Sequence, residues 1–249
     1  MRDILARIVF GATALCVVVG VGLSVWLSTT ATLVVWTPWN GHATGEFGSV
    51  LGRIFTVFTY FTILSNCIVG VVTLLLALNP GRRSSGFAVW RLISLIAIII
   101  TGVVYNVMLA PLYTPPGGWS GVSNKLEHIV VPILAVVGWL VFGPRLPMRA
   151  KTVWLALLFG AFYVVFTMLR GGLFEVAGQV NDHWYPYPFL DAARFGYGPI
   201  VINVVVLAGV YIGLGFAILG LDKVLPGPKP PKGAPDEGDV PVAAGASAD

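Results

Sequence analysis

The side chains of this chain best able to do chemistry are Thr62, Ser65 and Asn66 in one apolar run and His128 in another. In the stretch Phe58-Thr59-Tyr60-Phe61-Thr62-Ile63-Leu64-Ser65-Asn66, helical spacing puts Thr62, Ser65 and Asn66 on one face. Thr59 lies a turn earlier and Thr73 further on. Hydroxyls and amides inside lipid are tolerated where they face other helices or a wet cavity. A threonine hydroxyl becomes a nucleophile when an adjacent base takes its proton, and His128 is the candidate base. The plainer reading of Thr62 is a hydroxyl bonded back to the carbonyl four residues earlier. The plainer reading of His128 is an interfacial imidazole bonded to a loop. Ser65 is a second hydroxyl on the same face, and both readings of it stay open.

Around this pair stand further candidates. Ser65 and Asn66 are potential donors to a developing oxyanion. The loop Trp184-Tyr185-Pro186-Tyr187-Pro188-Phe189-Leu190-Asp191 reads either as an interfacial aromatic belt or as a semi-rigid lid. In the lid reading Tyr187 and Phe189 line the mouth, and Asp191 or Asp182 orients a histidine. Asn106, with Ser94, Thr101, Tyr105, Tyr163, Thr167 and Asn203, is expected to point into the same interior. The chain has three histidines, of which His42 and His183 fall in loops, so a haem held between facing helices is not expected. No CxxC or HExxH spacing occurs, and no metal or organic cofactor is expected.

Those residues must be positioned by membrane helices. Of 249 residues 57% are hydrophobic and only 10% charged, against about a quarter charged in soluble domains. The mean hydropathy is +0.86. Net charge +4 and a pI near 9.2 fit basic cytoplasmic loops better than nucleic-acid binding, which is not expected. Cys16 and Cys67 both lie in apolar runs and read as small buried hydrophobes rather than a disulfide.

The fold class expected is all-α, a polytopic membrane protein of six transmembrane helices. The spans are expected near Ile4–Leu27, Ile54–Leu78, Val89–Leu109, Lys125–Phe142, Thr152–Leu169 and Pro199–Leu221. The first run exceeds the core of a signal peptide and reads as a retained span. Residues 1–223 form the six-helix domain. Residues 224–249 are Pro-, Gly- and Ala-rich and read as a disordered cytoplasmic tail. Eleven Lys and Arg fall on the side of both termini and four on the other, which places both termini in the cytoplasm and the protein in the cell membrane. In the fourth span the apolar run from Ile129 to Phe142 covers only about 21 Å of helix. Asn124 with Glu127 three residues later reads as a capping box that starts this helix and puts His128 at its outer rim or slightly recessed, facing protein or water rather than lipid. Pro132 has no N–H and leaves the His128 carbonyl without its helical partner. Thr62 is expected about 12 Å below the outer end of a continuous second span.

Three segments occur in order: Tyr60-Phe61-Thr62-Ile63-Leu64-Ser65-Asn66, Glu127-His128-Ile129-Val130-Val131-Pro132 and Trp184–Asp191. Together they resemble the androgen-induced and androgen-dependent TFPI-regulating family, and most closely its bacterial six-span branch. The resemblance runs from about Arg53 to Asp222. It implies an integral-membrane threonine hydrolase acting on fatty acid esters of hydroxy fatty acids, with Thr62 as nucleophile and His128 as general base. The animal members carry an acidic residue three positions after that threonine, where this chain has Ser65. The function expected is hydrolysis of a membrane lipid or fatty acid ester near the extracytoplasmic side. The alternative is a non-catalytic membrane protein that binds or passes a small lipid or solute through the same interior.

Overall fold

The computed structural model describes residues 1–30, 36–37, 41–42, 49–112, 117–173 and 183–226. Glu46, Asp182 and the tail from residue 227 lie outside the described residues, so the tail reading is not addressed. Apart from a two-residue antiparallel pairing of Trp36–Thr37 with Gly41–His42, the described elements are helices and their connections. Six helical segments are long and apolar enough to cross a membrane, as a multi-pass membrane protein requires. They are α1 (Arg2–Thr29), α3 (Phe61–Leu78), Ser85–Leu112, Gly118–Phe142, α7 (Ala150–Leu173) and α9 (Tyr197–Val224).

The second span differs from the continuous Ile54–Leu78 helix expected. A short α2 (Val50–Val57) begins on Ser49, whose hydroxyl accepts from the Gly52 N–H, and the chain then breaks before α3. No proline or glycine causes the break. Thr56 Oγ1 bonds back to the Gly52 carbonyl and Thr59 Oγ1 to the Thr56 carbonyl, while the Thr59 N–H closes a tighter turn on Thr56. Such local hydroxyl bonds compete with helix propagation. Tyr60 then takes an extended conformation (φ −79°, ψ 132°) and caps α3.

The third segment runs as α4 (Ser85–Val103), opened by Ser84 accepting from the Phe87 N–H, into a π-helical turn, Val104–Leu109. The fourth starts earlier than expected, because α5 (Gly118–Lys125) continues through a π-helical turn, Leu126–Val130, into α6 (Val131–Phe142). Asn124 therefore lies inside a helix and forms no capping box with Glu127. Ten residues separate Gly118 from His128, about 15 Å of helix, so of the two placements expected His128 takes the recessed one, within the span.

α4 is the central helix, with Leu92, Leu95, Ile96, Ala97 and Ile98 wholly buried. On one side of it α1 packs on α3 and α6; on the other α7 packs on α9. Small residues let these backbones close up, since a Cβ on Gly70 would meet the Val17 side chain at 2.8 Å and one on Gly215 the Val153 side chain at 2.7 Å. Toward the end where α1 begins and α9 finishes the core is mainly aliphatic, with Leu76 and Leu92 beside Phe10 and Trp139. Toward the opposite end it turns tyrosine-rich, with Tyr105, Tyr163, Tyr185 and Tyr187. The orienting charges do not all face outward: Arg91 and Arg145, of the eleven counted on one side in the sequence, are 1% exposed.

Candidate functional site

The helix break puts Thr62 in the first turn of α3 rather than mid-helix. Residue Phe58, whose carbonyl would accept a back-bond from Thr62, belongs to the break. Thr13, Thr56 and Thr73 each bond back to the carbonyl four residues earlier, at 2.8, 2.9 and 2.7 Å. The hydroxyl of Thr62 instead meets two side chains: His128 Nε2 at 3.3 Å and the Tyr187 hydroxyl at 3.5 Å.

A helix start leaves N–H groups without intrahelical acceptors, and in an apolar interior each must find one. Two tyrosines supply them. The Phe61 N–H donates to the Tyr163 hydroxyl (3.1 Å), which itself donates to the Thr59 carbonyl (3.0 Å) and so splints the break from both sides. The Thr62 N–H donates to the Tyr187 hydroxyl (3.4 Å). Phe61 also packs edge-on against Tyr163, with ring centroids 5.0 Å apart.

His128 is held on every side. Its Nδ1 lies 2.9 Å from the Asn124 carbonyl, a group that only accepts, so Nδ1 carries the proton. In the neutral ring this leaves the Nε2 lone pair facing Thr62. Tyr105 stacks on the imidazole with centroids 3.7 Å apart, and the Asn124 amide donates to the Tyr105 hydroxyl. Pro132 leaves the His128 carbonyl unpaired within its helix, and Asn106 Nδ2 fills the vacancy at 2.9 Å while also bonding the Gly102 carbonyl. Both contributing segments are π-helical at this point, and such turns recur at functional sites.

Ser65 and Asn66 lie below the threonine rather than beside its hydroxyl. Ser65 donates to the Thr62 carbonyl (2.9 Å) and meets Thr101 Oγ1 (2.8 Å). Asn66 Nδ2 donates to the carbonyls of Thr62 (2.8 Å) and Glu127 (3.2 Å), tying α3 to the turn that bears His128. Their donors are engaged with backbone, which suits positioning rather than oxyanion binding. Glu127 turns toward α1, accepting from the Ser24 (2.7 Å) and Ser123 (3.2 Å) hydroxyls.

The loop Trp184–Asp191 is no outward-facing belt. Trp184, Tyr185 and Tyr187 are buried, and Tyr60 packs edge-on against Trp184 and Tyr187 at 5.7 and 6.0 Å. Phe189 stacks on Tyr187 at 5.2 Å. Burial pushes the Tyr187 phenol above its ordinary range, which keeps it a protonated donor. Asp191 caps the short helix α8 (Ala192–Phe195) by accepting from the Arg194 N–H (3.0 Å) and is hydrogen-bonded to no histidine among the described residues. Among the described residues no cluster of His, Cys, Asp or Glu is built to hold a metal ion, and Cys16 and Cys67 are free.

Beside Thr62 lies a cavity of about 350 Å³, lined from α4, α7 and α9. Thr62, Tyr105, Tyr187 and Phe189 stand at one end, and Leu157, Gly160 and Tyr211 at the other. Its lining is otherwise almost wholly aliphatic and aromatic. Ala161 and Val165 of α7 belong both to this lining and to the exposed surface of the bundle, so the cavity reaches the lipid-facing side.

The roles of Tyr163 and Tyr105 were not read from the sequence, although both had been placed in the polar interior. The Tyr-Phe-Thr pattern around Thr62 contains no breaker that would betray a helix start. Comparison of the chain with family models, curated proteins and solved structures returns no match.

Proposed function

We propose that the protein hydrolyses an ester of a membrane lipid, with Thr62 as nucleophile and His128 as general base. The supporting observation is the 3.3 Å approach of Thr62 Oγ1 to a histidine nitrogen whose partner nitrogen is pinned to a carbonyl. The family resemblance of the three sequence segments points to the same two residues. Thr62 Oγ1 attacks the acyl carbonyl while its proton passes to Nε2. The oxyanion of the tetrahedral intermediate takes a hydrogen bond from the Tyr187 hydroxyl. Collapse breaks the bond to the leaving oxygen, which recovers the proton from Nε2 and departs as the alcohol. A water then gives its proton to Nε2 and attacks the acyl-threonine. The acid is released and Thr62 regains its proton. No step calls for a metal or organic cofactor. The cell membrane is the proposed location, with both termini cytoplasmic, the site toward the extracytoplasmic side and substrate entering sideways from lipid.

A fluorophosphonate probe tests this directly. It is expected to label the purified wild type, and to lose its signal with Thr62→Ala and with His128→Ala proteins that elute and melt like the parent. Equal labelling of all three removes the hydrolase. Retention of bound fatty ester without turnover would favour a lipid-binding protein instead.

A further inference from the structure

The cavity beside Thr62 is a slot with a floor. Along α7 it runs from Val165 to Leu157, and along α9 from Val204 to Tyr211. Seven to eight helical residues correspond to about 10–12 Å. The floor is built from two residues that fit each other. The Tyr211 hydroxyl donates to the Ala156 carbonyl at 3.0 Å, which lays the phenol ring across the slot from α9 to α7. Gly160 faces that ring: a Cβ there would lie 3.4 Å from Tyr211 Cε2, an ordinary contact, so a larger side chain would grow into the remaining space. Tyr211 is 4% exposed and anchored, so it does not swing aside freely.

We infer that this slot binds one straight, unbranched acyl chain with its carbonyl at Thr62, and that Tyr211 and Gly160 set the length of chain accepted. The inference rests on the hydrolase reading for the placement of the carbonyl. An extended chain advances about 1.25 Å per carbon, from bonds near 1.5 Å and angles near 111°, so the slot holds about eight to ten carbons. Toward the floor the lining is aliphatic and aromatic, and the one hydroxyl there, that of Tyr211, is committed to the Ala156 carbonyl, so hydroxylated or charged groups are excluded from its depth. Longer chains must leave through the gap at Ala161 and Val165 or bind poorly. Acyl length is then selected at the floor, whereas the alcohol lies outside the slot on the Tyr187 and Phe189 side.

Two measurements on the full chain in detergent test this. The first is turnover of p-nitrophenyl esters with acyl chains of about four to eighteen carbons. The second uses Thr62→Ala, in which displacement of a dansyl-labelled undecanoic acid by fatty acids of the same lengths reads binding without catalysis. Wild-type turnover and Thr62→Ala binding are both expected to peak at about eight to ten carbons. Gly160→Leu is expected to lower the ratio of ten-carbon to four-carbon turnover by about tenfold or more, because a rigid apolar pocket discriminates strongly against one or two surplus methylenes. Tyr211→Leu, which removes the phenol but keeps apolar bulk, is expected to move the optimum to longer chains. Gly160→Ala, whose added methyl only touches the ring, should fall between wild type and Gly160→Leu. A flat dependence on length in both measurements, or a Gly160→Leu effect equal at all lengths, overturns the slot. Length-selective binding with no turnover of any ester would keep the slot and discard the hydrolase; turnover without length selection would do the reverse.

Discussion

Thr62 differs from Thr13, Thr56, Thr59 and Thr73 in one respect that matters chemically: its hydroxyl is not engaged with a carbonyl a turn before it. A hydroxyl bonded to backbone has its proton committed, whereas one facing an imidazole lone pair can transfer it. Tyr187 is the group that meets both the hydroxyl and the N–H of this residue. Replacing it by phenylalanine keeps the ring contacts with Tyr60 and Phe189 and removes only the donor. Tyr187→Phe is therefore expected to lower kcat by roughly 10²–10³, the usual cost of one oxyanion donor, with a smaller change in KM. Steady-state kinetics on a soluble short-chain ester would check it, and an unchanged kcat would remove Tyr187 from the chemistry. Thr62→Ser retains a hydroxyl at the same helix position and is expected to keep measurable labelling by the fluorophosphonate probe, unlike Thr62→Ala.

At the scale of elements, the break between α2 and α3 decides the site. An unbroken helix would bury Thr62 in its own backbone bonds; the break exposes a helix start, and two tyrosine hydroxyls make that start tolerable in an apolar interior. Tyr163→Phe strips the splint from the Thr59 carbonyl and the Phe61 N–H at once. A buried group left without its partner costs about 1–3 kcal/mol, so thermal unfolding in detergent is expected to shift clearly downward. Activity should fall as well, because the first turn of α3 loses the tie that fixes Thr62. A melting temperature equal to wild type would show that the break is held by packing alone. The two π-helical turns work in the same way: each widens its helix locally, and together they bring Tyr105, Asn106 and His128 into register.

Over the whole molecule, the site end is balanced by a lock at the end where α1 begins and α9 finishes. Arg145, buried, pairs with Asp222 at 3.2 Å, and Asp222 also accepts from the Trp139 indole (2.9 Å) and the Leu146 N–H (3.0 Å). Arg145 in turn donates to the carbonyls of Trp139 and Leu140, closing the loop between α6 and α7 onto α9. Removing one partner strands a buried charge, so Asp222→Ala is expected to cost about 3–5 kcal/mol, and Arg145→Leu combined with it to recover part of that. Thermal melts of the three proteins would test it; additive losses would mean that the pair is not coupled. The proposed orientation rests on the remaining basic residues of the eleven, since Arg91 and Arg145 are interior. A reporter fused after Lys232 is expected on the cytoplasmic side, and an extracytoplasmic signal there would invert the proposed topology.

Six apolar runs of spanning length, the approximate limits of all but the second and fourth, and the polar stripe of Thr62, Ser65 and Asn66 were legible in the sequence, because hydropathy and helical spacing are local properties. The vacancy on the His128 carbonyl was legible too, since a proline without an N–H leaves it wherever it sits. What only the tertiary structure decided is what each polar group meets. Local hydroxyl bonds and two distant tyrosines break the second span before Thr62, although no proline or glycine marks the place. Asn124 lies within a helix and holds the imidazole, rather than starting that helix. Ser65 and Asn66 share the threonine face but turn to backbone, because the nearest acceptors are the Thr62 and Glu127 carbonyls. Spacing along one helix fixes a direction, whereas the identity of a partner depends on which helices pack side by side, and that is a property of the bundle.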